Sequence, residues 1–387
     1  MPLSEDQVRA LENAQRAREA GKPETALTGC AGSGKTHCTS ELIEYAQGQG
    51  YRIRMMAPTG RAALQLKNAN AGSGLPEPTT LHRALFKRAY RDDDTGKLGF
   101  AGERNEIKEG DLVIVDEAYM VGRRMADRLR QQVPDGAWLH WMDDVAQLPP
   151  VKNQPNDAFD HPTGVLTKVH RQAEGSPIID VSTRMRTGGR LPHGAMGSEY
   201  LRKRSSMQVV ARWLHESEDN AIALCFANSL RRSVNAAVRQ LQGRRRALEI
   251  GDRVACTANN YTVGAFNGEL FDVIDLNTGN RKCEVLLRSA DGREVAGEVV
   301  LNHIGAKDVP EWAYGRKYPN RVRLDYGHCV TVHKAQGSQW PRVCFMLDQA
   351  IYRRARSRQQ EDRNFCRALV YTASTRAQEH LYVAEVA

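Results

Sequence analysis

One stretch limits what this chain can fold into more than any other. TGCAGSGKTH, Thr28–His37, contains Gly29-x-x-x-x-Gly34-Lys35-Thr36. A glycine-rich loop of this spacing does its work between a strand and a helix. The glycines let backbone N–H groups approach a phosphate, and the helix N-terminus adds the positive end of its dipole. The flanks agree: TALTG at 25–29 is a short apolar strand, and HCTSELIEYAQ from His37 has helical spacing. Gly29, Ala31, Gly32, Ser33, Gly34 and His37 are thereby expected around a bound nucleotide such as ATP. Lys35 is expected to reach the β- and γ-phosphates, and Thr36 an Mg²⁺ ion.

A second stretch supplies the complement. In LVIVDEAYM a buried apolar strand ends in Asp116-Glu117. Asp116 suits the metal ion, held through water. Glu117 suits a general base that polarises an attacking water. Such a base argues for hydrolysis and against a small-molecule kinase. WMDDVAQLPPV places Gln147 just past another strand, where an amide can sense a γ-phosphate. Arg171 in LTKVHRQAEG and Arg376 in YTASTRAQEHL fit arginine fingers supplied in cis by the second half of the chain.

The chain has 387 residues, enough for two or three domains. No run of 18 apolar residues is present, and the N-terminal MPLSEDQVRALENAQRA has no signal-peptide core. A cytoplasmic location without membrane contact is the expectation. None of the eight cysteines lies in a C-x-x-C pair, so free, mostly buried thiols are expected rather than zinc. Net charge is +9, unevenly placed. Residues 1–160 carry 21 Lys+Arg against 23 Asp+Glu, and the remainder 34 against 23, a net of +11. That excess reads either as a solvated basic face or as a track for a polyanion.

Strand–loop–helix units recur. RIRMMAPT, LVIVDEA and AWLHWMDD in the first half, and AIALCFA, CVTVHKA, VCFML and LYVAEV in the second, are Val/Ile-rich runs between helical segments. The fold class is α/β, with two domains built on parallel sheets and a break near 160–190. Two segments stand outside this alternation. Residues 86–108 are polar around a DDTGK turn and suggest an inserted hairpin. Residues 250–325 hold short β-rich runs between Gly, Asn and Asp, as in a small inserted β-barrel.

The order of LSEDQVRAL, GCAGSGKT, APTGRAALQL, TTLHRAL, VIVDEAYM, DDVAQLPPV, VHRQ, NGEL, TVHKAQGSQW and YTASTRA resembles the superfamily 1 DNA helicases. Within them it resembles the RecD-like and Dda-like 5′→3′ branch, over nearly the whole chain. The resemblance implies two RecA-like P-loop NTPase domains, 1–165 and 166–387. The first would carry a hairpin "pin" at about 86–108 and the second an SH3-like barrel at about 250–325. It implies that Gln7 reads the adenine edge, and that Lys35, Thr36, Asp116, Glu117, Gln147, Arg171 and Arg376 form the ATP site. Pro58, Thr59, Thr79, His82, Thr331, His333 and Lys334 would line single-stranded DNA. A monomeric motor acting on fork DNA, with replication or recombination proteins as partners, is implied as well. Three positions depart from the pattern: Asp143-Asp144 where Gly-Asp is usual, Tyr119 where a small residue is usual, and Gln339 where Glu is frequent.

Independent of that resemblance, DNA contact rests on aromatic platforms in a basic groove. Phe100, Tyr261, Phe266, Trp340 and Tyr371 are the candidates; on the resemblance, Phe100 would be a wedge at the fork. His82 and His333 have no ligand-spaced partner and read as hydrogen-bonding groups. Two other readings stay open: an ATP-gated single-strand remodelling protein without processive unwinding, and an RNA helicase of the same superfamily.

Overall fold

The structure is a computed structural model. It describes the chain except residues 1, 92–97, 104–105, 151–153, 170–175, 218–220, 280–282, 311–312, 316 and 387, and within 87–105 only the backbone of two strands. The chain forms two compact units, Met1–Glu174 and Gly175–Ala387. The division falls later than the expected 165/166. Strand Gly164–Leu166 pairs with Glu24–Gly29, and the Thr167 and Lys168 N–H groups both donate to Asp6. These bonds hold residues 164–168 in the first unit.

The strands of the first unit are β1 (Glu24–Gly29), β2 (Arg52–Ala57), β3 (Thr79–Thr80), β4 (Phe86–Arg91), β5 (Leu98–Glu103), β6 (Asp111–Val115), β7 (Trp138–Asp143) and β8 (Gly164–Leu166). Six of them make one sheet in the order β3-β2-β6-β7-β1-β8, and every pairing in it is parallel. A strand covered on both faces needs apolar residues at consecutive positions. β6 shows why. Leu112 and Ile114 pack with Leu42, Ile43 and Ala46 of helix Lys35–Gly48 on one face. Val113 and Val115 pack with Ala126 and Leu129 of helix Arg123–Gln132 on the other. β4 and β5 pair antiparallel as a separate two-stranded hairpin.

The second unit continues with β9 (Gly194–Met196), β10 (Tyr200–Ser205), β11 (Ala221–Cys225), β12 (Arg253–Cys256), β13 (Leu270–Thr278), β14 (Cys283–Ser289), β15 (Glu294–Val299), β16 (Leu324–Tyr326), β17 (Cys329–Thr331), β18 (Trp340–Leu347) and β19 (Ala377–Val386). Its main sheet has the order β17-β11-β18-β19-β10-β9, parallel but for the β10–β9 edge. Between β11 and β17 the chain leaves to build a five-stranded antiparallel sheet, β15-β14-β13-β12-β16. That sheet has its own core, with Val254, Phe271, Val285, Leu287 and Val322 buried together. Glu298 on its β15 edge exchanges backbone bonds with Asn320 and Val322, which lead into the β16 edge. The two edges are thus drawn toward each other. All eight cysteines are buried and free. No helix among the described residues is long and apolar enough to cross a membrane.

Candidate nucleotide and nucleic-acid site

In the first unit the candidate residues gather beyond the carboxyl ends of the parallel strands, the edge where α/β sheets place ligands. β1 runs into the loop and helix Lys35–Gly48 follows. Gly32 and Gly34 have φ of 78° and 80°, a left-handed conformation that glycine adopts without strain. Gly29 is needed for space: a Cβ there would stand 2.5 Å from Ser33 Oγ and 2.8 Å from Leu166 Cβ. The Lys35 ammonium donates to the Gly29 and Cys30 carbonyls at 2.8 and 3.2 Å, so it is folded across the loop. Ser33 Oγ is buried without a hydrogen-bond partner. Thr36 lies in the first turn of the helix, and His37 faces Glu41 from the next turn at 3.7 Å.

Gln7 is placed differently from an adenine reader. It is buried, its Nε2 donates to the Ser33 carbonyl at 3.0 Å, and its Oε1 accepts from the Ser4 N–H at 2.9 Å. In this structure the amide braces the phosphate loop against helix Glu5–Glu19. The sequence carried a signal for this: Ser4-x-x-Gln7 has the spacing of a helix capping box, whose Gln turns back to the cap.

The turn after β6 is strained. Glu117 has φ 51° and ψ 37° and is the one non-glycine with positive φ among the described residues. For a residue with a long side chain this costs about 1–3 kcal/mol and persists where surroundings impose it, often at functional sites. Its Oε2 is buried with no partner. Asp116 accepts from the Glu117 N–H at 2.8 Å. Burial first, then the charge of Glu117, push Asp116 above the ordinary carboxylate range; Lys35 opposes this.

Asp143, the first departure, is built into the same turn. Its two oxygens accept from the Tyr119 and Asp144 N–H groups, both at 2.6 Å. It thereby ties the end of β7 to the turn carrying Asp116 and Glu117. Burial and then the Glu117 charge push its pKa upward. Tyr119, the second departure, packs edge-on to Phe159 at 6.0 Å. Gln147 is buried, and its N–H donates to the Asp144 carbonyl at 3.0 Å. Thr59 caps helix Gly60–Ala69 by accepting from the Ala62 N–H, next to Pro58 at the end of β2, and Thr79 pairs with Met56. His82 lies half-buried near Phe86 and burial lowers its pKa.

In the second unit Thr331 ends β17 and precedes the short helix Val332–Ala335, which carries His333 and Lys334. His333 stacks near Phe365 and Phe226 at 6.2 and 6.3 Å. Arg376 is 4% exposed: its guanidinium donates to the carbonyls of Thr372 and Ser338 and to Thr375 Oγ1. The structure therefore folds this candidate finger into its own unit. Gln339, the third departure, donates to the Thr375 carbonyl at 3.3 Å. Trp340 and Tyr371 are buried core residues rather than platforms, whereas Tyr261 is exposed and packs against Phe266. Arg171 and the Phe100 side chain lie outside the described residues.

These two units, with a strained acidic turn facing a phosphate loop, define a P-loop NTPase. The family model of the AAA domain matches residues 2–212, and that of the UvrD-like helicase C-terminal domain matches 326–384. The chain is 29% identical to the ATP-dependent RecD2 DNA helicase of Deinococcus radiodurans, over 99% of this chain and 49% of that protein. It is 25% identical to the RecBCD enzyme subunit RecD of Mycobacterium tuberculosis, over 93% of this chain and 66% of that protein. It thus spans half to two thirds of the length of these relatives. A solved structure of Pif1 helicase from Bacteroides in complex with ADP-AlF3 and ssDNA superposes with a TM-score of 0.60 at 20% identity. That match covers 99% of this chain and 92% of the other and shows a shared fold. The chain belongs to the family of that AAA domain, and it is similar to helicases of the RecD and Dda type.

Proposed function

We propose that this chain is an ATP-dependent DNA helicase that moves 5′→3′ on single-stranded DNA and opens duplex ahead of it. The observation that carries the reading is the strained Glu117, with one carboxylate oxygen buried and unpartnered, beside the phosphate loop. A general base aimed at water is what a motor driven by hydrolysis requires. Lys35 leaves its loop carbonyls to meet the β- and γ-phosphates, and Gly32 and Gly34 open the backbone N–H groups toward them. Thr36 and Asp116 suit Mg²⁺, since Asp116, Glu117 and Asp143 concentrate carboxylates whose mutual repulsion Lys35 partly offsets. When bound, the ion would screen charge on the phosphates. Gln147 senses the γ-phosphate through the loop it shares with Asp144. Arg171 and Arg376 act as fingers, Arg376 by exchanging the Ser338 and Thr372 carbonyls for phosphate oxygens.

Pro58, Thr59, Thr79 and His82 in the first unit, and Thr331, His333 and Lys334 in the second, line the strand. The hairpin β4–β5 is the pin, with Phe100 its wedge, and the five-stranded sheet is the SH3-like barrel. The motor works as a monomer in the cytoplasm, at forks, beside replication or recombination proteins. The test is ATP turnover with and without oligo-dT, with oligo-rU as comparator. Strong stimulation by oligo-dT is expected. Stimulation by oligo-rU alone points to an RNA motor, and turnover indifferent to both removes the translocase reading.

A further inference from the structure

The hairpin β4–β5 grows straight out of the core of the first unit. Helix Leu81–Leu85 ends where β4 begins, and the Phe86 N–H donates back to the His82 carbonyl, so no linker separates helix from strand. Past β5, Ile107 is buried together with Leu85 and Phe86. The same cluster holds Ala118 and Val121 from the turn after Glu117, and Ala126 and Leu129 from helix Arg123–Gln132. One apolar cluster therefore carries both the acidic turn and the root of the hairpin. Two polar side chains of helix Arg123–Gln132 complete the attachment. The Gln132 amide is buried and donates through Nε2 to the Leu85 carbonyl at 3.3 Å. Leu85 is the last residue of its helix, where a carbonyl has no partner within the helix, and Gln132 supplies one. The Arg128 guanidinium lies over the Phe86 ring, 5.1 Å from its centroid, and the His82 ring stands 6.2 Å from the same ring. Arg128 and Gln132 are four residues apart, so one face of the helix reaches both the last helical and the first strand residue of the root.

We propose that Arg128 and Gln132 are positioning residues: they fix the root of the hairpin to the helix that follows the acidic turn, so that the hairpin holds its place when duplex DNA presses on it. The proposal rests on the reading of the hairpin as a pin and adds what keeps it from yielding. A two-stranded hairpin has little stability of its own, so its direction is set where it is rooted. The apolar cluster fixes depth, because Leu85, Phe86 and Ile107 must stay out of water. It does not fix angle, since apolar contact has no direction. The hydrogen bond from Gln132 and the planar guanidinium over Phe86 do have direction. Arg128 is itself exposed, so its contact with Phe86 closes the rim of the cluster and fills no part of the core.

The test uses the full chain and two readouts: amide hydrogen exchange, and base pairs of a 5′-tailed duplex opened per ATP turned over. Arg128→Ala is expected to speed exchange in β4 and β5 by about two- to five-fold, the worth of one cation–ring contact. Exchange in β1 and β6, and turnover stimulated by oligo-dT, should stay at wild-type values, while fewer base pairs open per ATP. Adding Gln132→Leu, which keeps the bulk and removes the donor, should deepen both effects. Arg128→Lys keeps the charge without the planar stack and should recover only part of the loss. Arg124→Ala removes an exposed cation from the same helix and should match wild type. Exchange in β4 and β5 that Arg128→Ala leaves unchanged overturns the proposal. So does a fall in duplex opening matched by an equal fall in turnover, which is the mark of a general packing role. An Arg124→Ala chain as impaired as Arg128→Ala overturns it too, since loss of charge then suffices. A wild-type chain that turns over ATP on oligo-dT but opens no duplex removes the pin reading, and the exchange result still decides whether these two residues hold the root.

Discussion

Glu117 shows how much of a site can rest on one backbone conformation. The chain holds a non-glycine at φ 51° and leaves a carboxylate oxygen buried without a partner. Such strain is kept in place by its neighbours, and here the neighbour is Asp143, whose bond to the Tyr119 N–H closes the turn. Glu117→Gln is expected to retain ATP binding and to lower turnover by about 10²–10⁴, because an amide cannot take the proton of water. Near wild-type turnover would remove Glu117 as the base. Asp143→Ala leaves the Tyr119 and Asp144 N–H groups without their acceptor, and is expected to cost about 1–3 kcal/mol in urea unfolding. A midpoint and slope equal to wild type would show the bonds contribute nothing. The acids were legible because Asp-Glu at the end of an apolar strand, downstream of a phosphate loop, has few other uses. The bond to Tyr119 was not, because sequence gives no distance between β7 and the β6 turn. Gln7 and Arg376 were read for chemistry, but their folded partners are the Ser33, Ser338 and Thr372 carbonyls. Which group a long polar side chain reaches is decided by packing.

At the scale of elements, the first unit is fastened by the start of helix Glu5–Glu19. Asp6 accepts from the Ser4 hydroxyl and from the Thr167 and Lys168 N–H groups, joining that helix to the segment after β8. Burial would raise its pKa, but these bonds, led by Ser4, outweigh it and hold Asp6 well below the ordinary carboxylate range. A depressed folded pKa gives stability that is present above the unfolded value of about 3.9 and lost as pH falls below it. Asp6→Asn should therefore lower the melting temperature at pH 7, and the gap to wild type should narrow as pH falls below about 4. A gap constant with pH would contradict this. An antiparallel strand pair and a five-stranded antiparallel sheet lie where the sequence breaks the helix–strand alternation, although the DDTGK turn itself lies outside the described residues. The near approach of β15 to the β16 edge was not legible in the sequence, because it depends on long-range pairing. Replacing 88–106 with a short Gly-Ser turn is expected to spare DNA-stimulated ATP turnover and abolish duplex separation. Each base-pair step opened costs roughly 1.4 kcal/mol of stacking, which a rigid pin helps offset. A shortened chain that separates duplex as fast as the parent would make the hairpin an ornament.

For the whole molecule, charge and topology divide the work. The first half is near neutral and carries the phosphate loop, the acidic turn and Gln147 on one parallel sheet. The second half is strongly basic and carries a second parallel sheet interrupted by the antiparallel insert. Two α/β units were legible because buried parallel strands need unbroken apolar runs between helices. The boundary at 174 rather than 165 was not, because the short β8 and the Asp6 bonds leave no compositional trace. The central claim is that ATP hydrolysis in the first unit drives 5′→3′ movement that splits duplex DNA. Stopped-flow separation of a fluorescent duplex, with either a 5′ or a 3′ single-stranded tail, tests it most directly. The account predicts rapid, ATP-dependent opening of the 5′-tailed substrate and little opening of the 3′-tailed one. Opening of the 3′-tailed duplex alone, or of neither while oligo-dT still stimulates ATP turnover, would contradict it.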